Sequence, residues 1–316
     1  MRVFVTGASG FVGHRFCQMA KCIGHDVTAQ YRSICTDRIT KDFTVTGIDS
    51  KTDWSGAFKQ IDCIVHCAAR VHQMNETKAQ SRAHYHEVNA LGTINLARQA
   101  AEQGVKRFVF LSSIKVNGES TLEGQKFLPE IAPKPADAYG ASKWDAEVGL
   151  RKVAEETGLE VVIIRPPLVY GPGVKANFHS LLQWIDKGIP LPLGAINNKR
   201  SMVHLDNLVD LMLICCSNPR AAGNVFMVSD DNDVSTSELL KQVAHSMKKP
   251  NRMIPIPETW LKFASSVLGK KDVGQRLCSS LQVDLSSTKR ALDWTPPVPF
   301  ERGIQETVDA YLANKS

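Results

Sequence analysis

The start of the chain decides the fold, because residues 2–13 read RVFVTGASGFVG. Residues 2–6 are an apolar run typical of a buried parallel strand, and residues 11–22 follow the pattern of a helix. The glycines between them allow a tight turn and a close approach of the backbone to a pyrophosphate at a helix N-terminus. An ordinary strand–helix turn is the alternative, but the motif favours dinucleotide binding. The predicted contacts are Gly7, Ser9, Gly10, Phe11, Val12 and Gly13.

Length and composition set the broad class of protein. The chain has 316 residues, of which 43% are hydrophobic and 22% charged, as in one large globular domain or two fused ones. The net charge is +6, but lysine and arginine are scattered, which favours an anionic small substrate or a solvated basic surface over nucleic acid. The eight cysteines form no Cys-x-x-Cys pair and are typical of free thiols in a reducing cytosol. With no signal peptide and no apolar run of about 18 residues, we expect a cytoplasmic protein without a membrane span.

One short run of ligand-type side chains could suggest a metal site. Cys63, His66 and Cys67 lie on an apolar run that predicts a buried strand, whose side chains alternate between two faces. We therefore expect no metal site.

Strands and helices alternate through the first half of the chain. Strands are predicted at residues 25–30, 43–48, 61–66, 107–111 and 161–165, with helices at 83–103 and around Tyr139. This alternation predicts an α/β fold with a doubly wound parallel sheet of the Rossmann type. Ala68 and Ala69 are small residues at the end of the fourth strand that leave room for a cofactor. Asp49 and Pro166, which follow the third and sixth strands, are assigned to the same cofactor site.

The end of the second strand bears on the choice of cofactor. A carboxylate there would bind the adenosine ribose hydroxyls of NAD, but the chain reads Tyr31-Arg32-Ser33. A guanidinium suits a 2′-phosphate by its charge and its forked geometry. Arg32 therefore favours NADP(H). NAD(H) is the alternative, with Arg32 stacked on adenine.

The composition of the sequence changes at Pro166, after which prolines and glycines become frequent. We predict that residues 1–165, with about 201–228, form an NAD(P)-binding domain. Residues about 166–200 and 229–316 are predicted to form a smaller C-terminal lobe over the edge of the sheet. Helices are expected at residues 235–248 and 259–268.

Residues 139–143 read YGASK, a Tyr-x-x-x-Lys pattern. On a helix, residues i and i+4 share a face, so the phenol of Tyr139 and the ammonium of Lys143 would point the same way. Lowering a tyrosine pKa from ~10 to ~7 requires roughly 4 kcal/mol, which a lysine and an oxidised nicotinamide could supply together. Such a tyrosine can give or take a proton at a hydroxyl or carbonyl group. An ordinary exposed helix face is the alternative.

The glycine motif, Ser113, Tyr139 and Lys143 together resemble the extended short-chain dehydrogenase/reductases, in particular the NAD(P)-dependent epimerase/dehydratase family. The resemblance runs almost end to end and is closest to bacterial UDP-sugar 4-epimerases and 4-ketoreductases of surface-polysaccharide biosynthesis. Further matches are Asn89, Arg165 with residues 169–172, Arg200 with residues 202–206, and residues 292–296.

The resemblance implies roles for individual residues. Tyr139 is the proton donor or acceptor, Ser113 bonds the reacting sugar oxygen, and Lys143 holds the nicotinamide ribose. The substrate residues implied are Ser113, Asn177, Arg200 and Arg276. It also implies a homodimer in which the helix before residue 104 and the Tyr139 helix pair with a second copy. Apolar residues that permit such packing, or that face the sheet instead, are Leu91, Ile94, Leu96 and Ala97.

Departures from the family pattern limit the types of reaction that the protein is expected to catalyse. Asn117 replaces the usual tyrosine after the serine, and Leu168 replaces an asparagine of some 4-epimerases. Ile114 and Lys115 occupy the positions where the 4,6-dehydratases carry an Asp-Glu pair. An isoleucine cannot act as a general acid or base, which argues against dehydration and leaves redox chemistry at one carbon.

Two reactions at C4 of a UDP-sugar fit this pattern. The sequence favours reduction of a UDP-4-keto-6-deoxy-N-acetylhexosamine in O-antigen or polysaccharide biosynthesis, because Arg32 points to NADPH and net reduction consumes it. The alternative is a UDP-hexose or UDP-N-acetylhexosamine 4-epimerase, which regenerates its cofactor. A more distant alternative is a non-catalytic NADP-binding module, against which the intact Tyr139 and Lys143 argue.

Overall fold

A computed structural model describes residues 1–33, 41–71, 78–267 and 271–315. Seven parallel strands form the central sheet in the order β3-β2-β1-β4-β5-β6-β9, so the predicted doubly wound Rossmann-type fold is confirmed. The strands are β1 Arg2–Thr6, β2 Asp26–Tyr31, β3 Lys41–Thr44, β4 Cys63–His66, β5 Arg107–Leu111, β6 Glu160–Arg165 and β9 Val225–Met227. Two further strands, β7 Leu168–Tyr170 and β8 Met202–His204, form a separate parallel pair.

Eleven helices surround the strands in the part of the chain that the structure describes. They are α1 Phe11–Cys22, α2 Lys78–Tyr85, α3 Gly92–Glu102, α4 Ala138–Thr157, α5 Ala176–Asp186, α6 Leu205–Ser217, α7 Thr236–Ser246, α8 Glu258–Val267, α9 Lys271–Cys278, α10 Ser286–Leu292 and α11 Phe300–Ala313. Between α2 and α3 the chain forms a π-helical segment, His86–Leu91. None of the helices in the described ranges is long and apolar enough to cross a membrane.

Both faces of the sheet are covered, which explains the apolar runs of its strands. On one face α1 and α6 pack over side chains such as Val3 and Val109. On the other face α3 and α4 pack over side chains such as Phe4 and Phe108. A third apolar cluster joins α5, α7 and α11 on the C-terminal side.

The side chains of α3 decide between two sequence-based alternatives. Leu96 and Ala97 were expected either to permit dimer packing or to face the sheet, and both are fully buried (0% exposed) in the core between α3 and the sheet. Ile94 is half-buried and lies against α4, since a Cβ on Gly149 would come within 2.2 Å of its Cδ1. These side chains hold the subunit together rather than presenting a surface to a second copy.

Candidate active site

The glycine-rich turn connects β1 to α1 as the sequence predicts. Gly7 has a φ of +69°, a left-handed conformation that glycine adopts without strain. A Cβ on Gly7 would lie 2.7 Å from the backbone nitrogen of Ala68, and one on Gly13 would lie 2.3 Å from the carbonyl oxygen of Gly7. The first glycine therefore lets the turn pack against the end of β4, and the third lets α1 pack on the turn.

The N-terminus of α1 has the features of an anion site. Ser9 and Gly10 are exposed, and Phe11 and Val12 are half-buried. Gly10 caps the helix without a side-chain hydrogen bond, and the first turn carries no acidic residue. The first N–H groups of a helix lack partners within it and lie at its positive dipole end. The turn therefore fits the pyrophosphate of a dinucleotide.

The other predicted cofactor residues follow the same edge of the sheet. Ala68 and Ala69 are half-exposed after β4, and Pro166 is buried directly after β6. Asp49 lies in the loop after β3, where its Oδ1 accepts two hydrogen bonds from its own loop at 2.9 and 3.0 Å. Arg32 follows β2 directly and is exposed. All five therefore lie at the ends of strands where a doubly wound sheet binds its ligand.

Tyr139 and Lys143 lie on the first two turns of α4. The helix begins after Asp137, whose carboxylate accepts a hydrogen bond from the N–H of Gly140 at 2.7 Å. Tyr139 is half-buried, whereas Lys143 is only 1% exposed. The Nζ of Lys143 donates a hydrogen bond of 2.9 Å to the carbonyl oxygen of Leu111, at the end of β5. The i, i+4 pair predicted from the sequence is present, and its lysine is anchored to the sheet.

Ser113 reaches the same place from the loop after β5. Its Oγ accepts a hydrogen bond of 3.2 Å from the N–H of Lys115 and so caps a short 3₁₀ turn. The turn packs directly on α4, because a Cβ on Gly140 would lie 2.7 Å from the carbonyl oxygen of Lys115. The ammonium of Lys115 also forms an ion pair with Asp137. These contacts join the Ser113 turn to the helix that carries Tyr139.

The sequence predicts that Lys143 and an oxidised nicotinamide together lower the pKa of Tyr139, and the protein groups alone do not. Burial, with smaller contributions from Asp137 and Tyr85, raises the pKa of Tyr139 to about 12. Burial lowers the pKa of Lys143 to about 8, partly offset by Cys67 and Glu147. The phenol of Tyr139 is therefore neutral at pH 7, and Lys143 by itself does not turn Tyr139 into a base.

A buried network behind Ser113 escaped the sequence analysis. Glu147, one turn beyond Lys143, forms two hydrogen bonds with Arg165, Nε–Oε1 at 2.9 Å and NH2–Oε2 at 2.6 Å. Ser112 donates to the same carboxylate at 2.6 Å, and Arg165 donates to Asn117 Oδ1 at 3.0 Å. For Glu147 itself the signal in the sequence was its i, i+4 spacing from Lys143, and Arg165 was noted only as a match to the family. Asn117, noted as a departure from the family pattern, is a partner of Arg165.

Asn89 is a further residue that fixes the site. Its side-chain amide bonds both backbone groups of Arg70, accepting at 2.7 Å and donating at 3.1 Å. The same amide nitrogen is 3.1 Å from Ser142 Oγ, and Ser142 donates to the carbonyl oxygen of Tyr139 at 2.8 Å. Asn89 lies in the π-helical segment, an element often found at functional sites. Asn89 therefore links the segment after β4 to the first turn of α4, which carries Tyr139.

The predicted substrate residues other than Ser113 belong to three different segments of the chain. Arg200 is half-buried and donates to the carbonyl oxygen of Ser279 at 3.1 Å. Asn177 is exposed on the first turn of α5. Arg276 belongs to α9, but its side chain lies outside the described part of the structure. The grouping of Asn177, Arg200 and Arg276 at one substrate site stays a prediction.

The described residues include one group with metal-ligand spacing. His204, Asp206 and Glu306 have ligand atoms within 4.8 Å of one another. Arg15 takes both carboxylate oxygens of Asp206 in hydrogen bonds of 2.7 Å, so this carboxylate already has a cationic partner. The group does not include Cys63, His66 or Cys67.

Comparisons with known proteins agree with this geometry. The model of the NAD-dependent epimerase/dehydratase family matches residues 3–229. The chain is 45% identical to a UDP-glucose 4-epimerase of Vibrio cholerae over 315 residues, covering 98% of this chain and 95% of the relative. It is 27% identical, over 97% of this chain and 94% of the relative, to an N-acetyl-α-D-glucosaminyl-diphospho-ditrans,octacis-undecaprenol 4-epimerase of Escherichia coli O157:H7.

A solved structure has the same fold. The UDP-glucuronic acid 4-epimerase of Bacillus cereus, in complex with NAD, superimposes with a TM-score of 0.80 at 18% identity over 100% of both chains. The family model spans well over half of the chain, and the Vibrio cholerae relative matches it nearly end to end. This chain therefore belongs to the NAD-dependent epimerase/dehydratase family.

Proposed function

We propose that the protein is a 4-epimerase of a UDP-sugar. The observation that carries the proposal is the site around Tyr139 and Lys143, in which Ser113 is followed by Ile114 and Lys115. Ile114 is 5% exposed within an apolar cluster, and Lys115 is paired with Asp137. Ile114 cannot act as a general acid or base at C5 or C6 of a sugar, and the ammonium of Lys115 is held by Asp137, so the site supports redox chemistry at one carbon. Similarity to the Vibrio cholerae relative favours epimerisation over the reduction preferred in the sequence analysis.

The residues divide the work at C4 as follows. Ser113 would hold the C4 oxygen by a hydrogen bond, and Tyr139 would take its proton as the C–O bond becomes a carbonyl. When bound, an oxidised nicotinamide supplies hydride acceptance and a positive charge that favours the phenolate. Lys143 adds a second positive charge and would hold the nicotinamide ribose. In the return direction Tyr139 gives the proton back to the oxygen of the inverted alcohol.

Substrate incubation tests the proposal. The purified enzyme should convert UDP-glucose or UDP-N-acetylglucosamine into the corresponding galacto-sugar without net consumption of cofactor, as followed by proton NMR. Tyr139→Phe should lower kcat by at least ~100-fold while largely keeping cofactor affinity. Consumption of NADPH with a 4-keto-6-deoxy sugar, and no epimerisation, would support the reductase instead. A panel with a polyprenyl-diphosphate-linked sugar tests whether the diphosphate carrier must be UDP.

The preference for NADP(H) over NAD(H) stays a prediction that depends on Arg32. A charge-assisted hydrogen bond to a 2′-phosphate contributes ~1.5–3 kcal/mol, or about 10- to 150-fold in affinity. Arg32→Ala should weaken NADPH by that factor and leave NADH unchanged in paired titrations. Equal binding of NADH and NADPH by the wild type would remove the argument for the reductase, because an epimerase does not need the NADPH pool.

Assembly, cellular context and domain division also stay proposals. We propose a homodimer in which the exposed side of α4 pairs with a second copy, supported by Val148, which is 48% exposed on that helix. Light scattering at micromolar concentration should give twice the mass of the chain, and Val148→Glu should reduce it to that of a monomer.

We further propose a cytoplasmic role in polysaccharide biosynthesis and the two-domain division predicted from the sequence.

A further inference from the structure

A directional chain of hydrogen bonds runs beneath the proposed catalytic pair. Thr6, the last residue of β1, lies beside His66, the last residue of β4, with Oγ1 and Nδ1 2.6 Å apart. The other ring nitrogen of His66, Nε2, is 2.9 Å from Oγ1 of Thr93 on α3. Thr93 in turn donates to the carbonyl oxygen of Asn89 at 2.7 Å. Every one of these four residues is at most 1% exposed.

The partners decide which nitrogen of His66 carries the proton. A threonine hydroxyl has one hydrogen, and Thr93 gives it to Asn89, so Thr93 can only accept from Nε2–H of His66. Nδ1 is then the acceptor of the Thr6 hydroxyl, whose oxygen is 3.4 Å from the N–H of Ala68. His66 is thus a neutral imidazole with both nitrogens bonded, and burial together with Lys143 lowers its pKa to about 3.

This series of hydrogen bonds ends at Asn89, the residue that fixes the first turn of α4 around Tyr139. Its last acceptor is the carbonyl oxygen of Asn89, whose side chain reaches Ser142 and, through it, the carbonyl oxygen of Tyr139. The ring of His66 also stacks on Phe110, with 5.8 Å between centroids and 17° between planes. The Nζ of Lys143 lies 4.5 Å from the centroid of the same Phe110 ring. His66 therefore supports both members of the Tyr139–Lys143 pair through intermediate groups.

We infer that His66 and Thr93 are positioning residues for catalysis, in which the Nε2–H of His66 holds Thr93 and thereby fixes the π-helical turn of Asn89 under Tyr139. This inference rests on the proposed role of Tyr139. A neutral donor is required at this point, because a protonated imidazole would place a second buried positive charge beside Lys143. Thr6 uses the opposite ring nitrogen and connects to Ala68 on the cofactor side.

Two substitutions of His66 test its hydrogen bond to Thr93 separately from its hydrogen bond to Thr6. The side-chain nitrogen of Gln in His66→Gln lies near the position of Nε2 and can still donate to Thr93. The amide of Asn in His66→Asn lies near Nδ1 and reaches only Thr6. We expect His66→Asn to lower kcat about tenfold with KM and NAD affinity within about twofold, and His66→Gln to keep kcat within about threefold. Equal kcat losses in both variants would overturn the inference.

Thr93→Val removes the same link without changing side-chain volume. It should lower kcat about tenfold, whereas the control Thr307→Val should leave kcat unchanged. Thr307 is 1% exposed and makes an equivalent hydrogen bond, from its hydroxyl to the carbonyl oxygen of Gly303 at 2.6 Å. Unchanged kcat in Thr93→Val, or an equal loss in Thr307→Val, would contradict a positioning role.

Nitrogen NMR of histidine-labelled protein provides a readout that does not depend on turnover. The resonances of His66, assigned by their loss in His66→Gln, should show the neutral Nε2–H tautomer at neutral pH. An Nδ1–H tautomer or an imidazolium would overturn the inference. If the wild-type enzyme turns over no sugar but shows this tautomer, the proposed function fails while the hydrogen-bond chain stands.

Discussion

Removing the charge of Glu147 should destabilise the protein far more than removing the charge of another glutamate on the same helix. Glu147 is 0% exposed, and its bidentate partner Arg165 is also 0% exposed. The substitution Glu147→Gln leaves the guanidinium buried without its counter-ion, which costs about 3–5 kcal/mol. Because m-values in urea are about 3 kcal/mol per molar for larger domains, the unfolding midpoint should fall by about 1–1.7 M.

The matched control is Glu156→Gln. Glu156 also lies on α4 and also pairs with an arginine, Arg98, at 3.3 Å. In this pair Glu156 is 44% exposed and Arg98 is 51% exposed. An exposed pair of this kind contributes about 0–1 kcal/mol, so the urea midpoint should move by at most about 0.3 M. Equal shifts in Glu147→Gln and Glu156→Gln would refute the reasoning.

A double substitution separates the unpaired charge from the loss of packing. In Glu147→Met with Arg165→Met neither charge of the pair remains, so the loss of stability should be smaller than the sum of the two single losses. Urea denaturation followed by circular dichroism measures all three variants. Additive losses would show that the two charges contribute independently and that the ion pair is not a unit. Since Ser112 shares the carboxylate, Glu147→Gln should also lower kcat through the neighbouring Ser113.

Two further predictions concern α4. Gly140→Ala places a Cβ 2.7 Å from the carbonyl oxygen of Lys115 and should cost about 1–3 kcal/mol and lower kcat. Gly149→Ala meets side-chain atoms of Ile94 and no backbone, and should leave kcat within about twofold. Similar kinetics for both variants would contradict a close packing of the Ser113 turn on α4. The affinity for NAD should fall as pH rises through about 8, because Lys143, whose pKa burial lowers to about 8, is charged below that value and neutral above it. Titration calorimetry of wild type and Lys143→Met checks this, and the same pH dependence in the variant would exclude Lys143 as its source.

Elements encoded by local patterns were predictable from the sequence. The bounds of β1, α1 and β5 agree with the predictions to the residue, because an apolar run, a glycine turn or a flanking loop marks each end. The i, i+4 pair Tyr139–Lys143 likewise depends only on helical geometry. By contrast, the helix predicted over residues 83–103 is broken into α2, a π-helical segment and α3. Nothing local encodes that π-turn, since its Asn89 is held by groups on two other elements.

Partners distant in sequence explain the rest of what was missed. Glu147 and Arg165 lie 18 residues apart, and Thr6 and His66 lie 60 apart. Such pairs form only once the strands of the sheet are side by side, so spacing along the chain carries no signal for them. The same limit applies to Leu96 and Ala97, whose apolar character indicated burial but not whether the sheet or a second subunit would cover them.

The departures from the family pattern acquire a meaning once the contacts are known. Asn117 could have indicated a changed substrate pocket, but its Oδ1 accepts from Arg165 at 3.0 Å and its Nδ2 donates to the carbonyl oxygen of Leu128 at 3.1 Å. It therefore stabilises the loop behind the site. Lys115, by contrast, stands where proton transfer beyond C4 would need a carboxylate, and its ammonium is committed to Asp137 at the start of α4. One departure thus supports the scaffold, while the other supports the proposal of chemistry at a single carbon, as epimerisation at C4 requires.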